Sequence, residues 1–193
     1  MENYNMILAA EEQFAREVTL GVIVSRPLTV WHYIIPGMFI IDFLRRGTAI
    51  RQYTKHFLFP RKLALEAARA ISEKEDKSSI TSHFEEDVSM WLNELKLFSP
   101  ELVQAHLNLI DVLVEHYAKL LNAEGDTFYL LIANVYKNRD NFKAFVDQIT
   151  VAEKEVDDKV IEKLGGNEKV KEKILDEQQQ IEKRRQKILG EIF

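Results

Sequence analysis

Apolar residues recur every three or four positions along most of this chain, the spacing that gathers them on one face of a helix. The first such stretch runs from Glu2 to Val24, with Ile7, Leu8, Phe14, Ala15, Val18 and Val22 on its apolar side. Arg26-Pro27 ends it, because a residue before proline is pushed out of the helical region. A short apolar helix, Leu28–Ile35, then leads into a Pro36-Gly37 turn and a longer helix, Met38–Phe59, that begins apolar and finishes basic. Pro60 suits the first turn of the helix after that. The polar stretch Asp76–Ser82 reads as a loop, and the helix beyond it reaches Phe98 with Phe84, Val88, Trp91, Leu92 and Leu95 as its stripe.

Ser99-Pro100-Glu101 is a helix start: a capping hydroxyl, proline at the first position and an acid in the first turn. The helix it opens carries Leu102, His106, Leu109, Leu113, Tyr117 and Leu120 on one face, widened by Val103, Ile110, Val114 and Leu121. So broad a face predicts the centre of the core. Asn122–Asp126 is a turn. Thr127–Tyr136 is short and apolar enough to be a strand, but no partner strand is in sight, so helix is the better reading. Asn138–Asn141 breaks the chain before an amphipathic helix over Phe142–Leu164. Gly165-Gly166 stops that helix and Asn167 caps the last one.

The pattern predicts an all-α bundle of about seven helices. Residues 1–164 form the bundle domain and 167–193 a semi-independent amphipathic helix. Along that last helix Ile174, Ile181 and Ile188 repeat every seven residues, with Val170 and Ile192 extending the stripe. Gln178 and Arg185 interrupt the seam, which suits docking on its own bundle, a homo-oligomeric contact or a protein partner better than a long coiled coil.

Composition agrees. The 193 residues are 46% hydrophobic and 30% charged, enough for one real core, and only seven glycines and four prolines are too few for an all-β fold. The absence of cysteine excludes disulfides, thiolate metal sites and a cysteine nucleophile. No basic stretch precedes an apolar run at the start, so a cleavable signal peptide is not expected.

Charge changes the picture at one place. From Phe43 to Leu65 there is no Asp or Glu, while Arg45, Arg46, Arg51, Lys55, Arg61 and Lys62 all fall inside. A chain total of −5 and a window of +6 leave −11 for the rest. Just before this window, residues 27–44 form an apolar hairpin in which His32 and Asp42 are the only ionisable side chains. Pro36-Gly37 divides it, so one straight span of roughly 20 residues is not available. Two short arms could instead enter one leaflet and return. Trp31 and Tyr33 belong to the types that favour headgroup level, and Ile34, Ile35, Met38, Phe39 and Ile40 would lie deeper. The six cations, 45–62, would then meet anionic headgroups at about 1 kcal/mol each. The alternative is that both arms are the most buried helices of a soluble bundle. In either case His32 and Asp42 flank the turn symmetrically and are expected to satisfy each other as a buried polar pair.

Little else carries chemistry. His106 and His116 lie about 80° and about 15 Å apart on one helix, so they cannot share a metal. The paired Glu-x-x-His pattern of a di-iron bundle is absent. No phosphate loop and no Gly-x-Ser-x-Gly elbow occurs, which excludes the common nucleotide-binding and hydrolase classes. The basic window is apolar and aromatic and lacks a nucleic-acid-reading motif. The expected function is therefore non-catalytic, with no metal and no cofactor: an adaptor or membrane-organising protein held on the cytoplasmic side of an anionic membrane. A soluble helical interaction protein is the alternative, and an enzyme with an unrecognised bundle site comes third.

Overall fold

In a computed structural model the described residues are 2–24, 38–73, 77–166 and 168–193, with side chains described over 2–22, 47–73, 83–166 and 168–193. Those residues form seven helices and no strand. They are α1 (Glu2–Val24), α2 (Met38–Ser72), α3 (Lys77–Glu94), α4 (Pro100–Leu121), α5 (Phe128–Tyr136), α6 (Arg139–Lys163) and α7 (Glu168–Ile192).

The centre is α4. Leu102, Val103, Leu109, Ile110, Leu113, Tyr117 and Leu120 are all buried along it, and it packs against α1, α2, α3, α5 and α6. Its start follows the predicted chemistry: the Leu102 amide donates to Ser99 Oγ at 3.2 Å and Pro100 stands at the first position. His106, on the apolar stripe, is a satisfied core histidine, its Nδ1 2.9 Å from the Leu102 carbonyl and its ring edge-on to Trp91.

Several boundaries differ from expectation; α6 starts at Arg139, behind an Asn138 cap, and not at Phe142. Pro60 does not open a new helix; it lies buried inside the 35-residue α2. Proline there removes one backbone hydrogen bond. The flanking residues are held by packing: Leu58, Ala64, Leu65, Ala67 and Ala68 are all buried. The loop over 76–82 is also shorter than predicted, since α3 begins at Lys77. At its far end α3 stops at Glu94, short of Phe98, because Lys96 adopts φ +60° and Leu97 N donates to Leu92 O at 2.9 Å. That closure commonly uses glycine, and a lysine in its place gives no signal in the sequence. Gly165-Gly166, by contrast, forms the same closure as predicted, Gly166 N donating to Ile161 O at 2.9 Å. Asn167 lies outside the described residues.

α1 and α2 run antiparallel in a constant register. Tyr4 lies under Arg69, Glu12 pairs with Lys62, Phe14 meets Phe57 and Thr19 meets Thr54. α7 lies antiparallel against the other side of α1, where Arg184 pairs with Glu17. One turn on, a side chain at Gly21 would collide with Gln180, so glycine sets how closely these two helices approach. The last helix is thus seated on its own bundle, with Ile181, Arg185 and Leu189 buried against α1, α5 and α6.

Candidate functional site

The α1, α2, α6 and α7 helices enclose a charged cluster. Arg61 of α2 is 5% exposed and reaches two carboxylates: Nε to Glu11 Oε2 of α1 at 3.1 Å, and Nη2 to Glu153 Oε1 of α6 at 2.7 Å. Its guanidinium also lies over the Phe57 ring, 4.1 Å from the centroid. Arg185 of α7 takes the other side of Glu153 in a two-point pairing, Nη1 to Oε2 at 2.8 Å and Nη2 to Oε1 at 2.9 Å, and Nη1 also donates to Thr150 Oγ1 at 3.0 Å. Burial opposes ionisation of Glu153, but Arg185 and Arg61 more than offset it and hold its carboxyl below the ordinary range. The Tyr117 hydroxyl is buried beside Glu11 and Arg61 without a well-directed hydrogen bond.

Further along the same helices the polar contacts turn acidic. Asp157 accepts from Gln178 Nε2 at 2.7 Å, and burial, with Glu177 nearby, pushes its pKa up to about 7. Glu177 is also raised, by burial, and lies beside the buried Tyr53 hydroxyl.

In the other direction along α6 the surroundings become apolar and open into a cavity of about 440 Å³. Phe142, Phe145, Val146 and Ile149 form one wall, Phe128 and Ile132 of α5 another, and Ala10 and Phe14 of α1 a third. Arg61, Arg184, Arg185 and Glu11 border it on the charged side. His116 of α4 stacks on Phe145, centroids 4.0 Å apart and planes within 9°, and its Nδ1 is 2.7 Å from the Tyr136 hydroxyl. Burial, helped by Lys119, lowers the His116 pKa to about 3, so the ring is neutral and Tyr136 donates to it. The neutral ring, hydrogen-bonded to Tyr136 and stacked on Phe145, forms part of the cavity wall.

The predicted membrane-contact residues fare unequally. Trp31, Tyr33, Ile34 and Ile35 lie outside the described residues, as does His32. Met38, Phe39, Ile40, Asp42, Arg45 and Arg46 fall on the first turns of α2, where side chains are not described, so the His32–Asp42 pair lies outside the described residues too. Arg51 and Lys55 are exposed. Lys62 is exposed but paired with Glu12 at 2.8 Å. Arg61 is a correction: it is an interior residue of the charged cluster, because two acids from α1 and α6 converge on it and its neighbours on α2 face the core. Among the described residues no group of three metal-ligating side chains converges.

The charged cluster and the cavity were not anticipated. Gln178 and Arg185 interrupt the last helix's apolar seam, and both hydrogen-bond to α6. No protein-family model matches the chain, and comparison with curated proteins and with solved structures gives no match.

Proposed function

We propose that this is a non-catalytic helical protein held at an anionic membrane surface, in an adaptor or membrane-organising role on the cytoplasmic side. The observation that supports the reading is the antiparallel register of α1 and α2. It brings the end of α1 and the beginning of α2, the two ends of the apolar segment 25–37, to one end of the bundle. Arg51 and Lys55 are exposed on α2 toward that same end. With Arg45 and Arg46, which follow the apolar hairpin 27–44 in sequence, four cations of the basic window remain for a surface, since Arg61 is interior and Lys62 is paired. Four such charges contribute about 4 kcal/mol beside an anionic surface, which makes the apolar arms the main anchor. No helix among the described residues is long and apolar enough to cross a membrane, which fits attachment from one side.

Sedimentation with vesicles tests it. Purified protein should pellet with vesicles containing anionic lipid, and high salt should release only part, because salt screens charges and leaves apolar contact intact. Arg51→Glu with Lys55→Glu should reduce the salt-sensitive fraction. Equal recovery with anionic vesicles, neutral vesicles and no vesicles would overturn it and leave the alternative, a soluble interaction protein with the hairpin in its core.

A further inference from the structure

We infer that the cavity between α1, α5 and α6 binds a single-chain amphiphile with a carboxylate headgroup, independently of any membrane contact. Three features of the site combine. First, its size falls in the range of small-molecule sites, about 300–1,000 Å³, and its walls are mainly aromatic and aliphatic. Second, its polarity is graded along one direction. On α6 the lining passes from Phe142 and Phe145 through Val146 and Ile149, and ends beside Thr150 and Glu153, which hold Arg185. From Phe142 to Glu153 is about 16 Å of helix, so the cavity has a long apolar end and a charged end, the division of an amphiphile.

Third, the charged end has one guanidinium that the fold uses through a single nitrogen, Arg184 paired with Glu17. Arg61 and Arg185 are committed to Glu11, Glu153 and Thr150. Arg184 meets Glu17 through Nε alone, at 2.6 Å, and that contact is a charge pair without hydrogen-bond geometry. Its two terminal nitrogens make no hydrogen bond among the described residues, while the side chain is 13% exposed and borders the cavity. A planar fork of donors held in this way matches a carboxylate. Outside, Lys187 is paired with Glu191, which also lies near Arg184, so it is the open terminal nitrogens, not net charge, that select the headgroup. An alcohol would leave the fork unmatched, and an ammonium headgroup would be repelled.

Calorimetric titration of the full chain with hexadecanoate, below the concentration at which it self-associates, tests the assignment. One molecule should bind per chain, and hexadecanol and hexadecyltrimethylammonium should bind at least about tenfold more weakly, the value of one charge-assisted hydrogen bond. Arg184→Gln should weaken hexadecanoate to the level of the alcohol. Ala10→Phe should fill the cavity and abolish binding of both while leaving vesicle sedimentation unchanged. If circular dichroism shows that Ala10→Phe loses helix, Ile188→Trp fills the same space from α7. No binding of hexadecanoate, equal binding of the three amphiphiles, or binding that survives a folded cavity-filling variant would each overturn the inference.

Discussion

The helix at the centre and the helices at the side of this bundle are held by different physics. α4 is fixed by shape: Leu109, Ile110, Leu113, Tyr117 and Leu120 are buried on several sides, and the interaction is spread over many weak contacts. The joint among α1, α2, α6 and α7 is fixed by charge, with Glu11, Arg61, Glu153 and Arg185 in one connected network. The apolar centre tolerates small losses because each contact is small. The charged joint does not, since removing one member strands its partners in a dry place. A network of this kind adds less net stability than its short distances suggest, because each charge gave up its hydration to enter. Its stronger effect is on which helices meet and in what register.

The largest effect should come from Glu153→Gln, which leaves Arg61 and Arg185 without a shared counter-charge. We expect a loss of about 3–5 kcal/mol in chemical denaturation. Replacing the unit together, as Arg61→Met, Glu153→Leu and Arg185→Met on a Glu11→Gln background so that no acid is left unpaired, should recover most of that loss. If the triple variant is no better than the single one, the joint stabilises by attraction and not by specificity.

Next comes the apolar centre. Leu113→Ala should cost about 2–5 kcal/mol, the range for a buried leucine. Combining it with the triple variant should give nearly additive effects if the two regions are as separate as their chemistry suggests. Strong non-additivity would show that the cavity, which Leu113 also borders, couples them.

The smallest effect sharpens the comparison by pH. Asp157 has a folded pKa raised to about 7 from 3.8, mainly by burial. The folded state therefore holds this proton more tightly than the unfolded chain, and the associated stability is present below pH 3.8 and lost as pH rises through about 7. Asp157→Asn should raise the melting temperature at pH 8 and do nothing favourable at pH 4. His116 acts in the opposite sense. Its pKa is lowered from 6.5 to about 3, so its contribution is present above pH 6.5 and lost as pH falls toward 3. Melting curves from pH 4 to pH 8 should show the two slopes separately once Asp157 is replaced.

The same contrast explains what could be read in advance. The face of α4 is periodic, so Leu102 through Leu120 could be named as core from spacing alone. The ends marked by Ser99-Pro100 and Gly165-Gly166 were legible because capping is local chemistry, while Thr127 and Asn138 cap helices without having been legible as caps. The charged joint was not, because Arg61 meets Glu153 across 92 positions and no local pattern records such a pairing. In the sequence Arg61 stands as one of six cations in an acid-free window. The cavity was illegible for a related reason: it is a gap left where α1, α5 and α6 meet, a property of the packing that no single stretch carries. Pro60 misled because its usual place, the first turn of a helix, is also where a turn would have been reasonable.

The order of Glu11, Arg61, Glu153 and Arg185 along the chain has a consequence for how the molecule is made. Synthesis delivers a negative charge, a positive, a second negative and only then the second positive, on α7. Until that helix docks, Glu153 has only one counter-charge, shared with Glu11, and the joint stays too costly to dehydrate. Helices α1 to α6 can coil and collapse about α4 early, since their contacts are local or apolar, but the interior among α1, α2 and α6 would remain wet. On that order α7 would act as a latch that closes late. Interactions formed after the rate-limiting step slow unfolding without speeding folding. The durability of the native state, as distinct from the speed with which it is reached, would then rest on Arg185 and the few side chains around it.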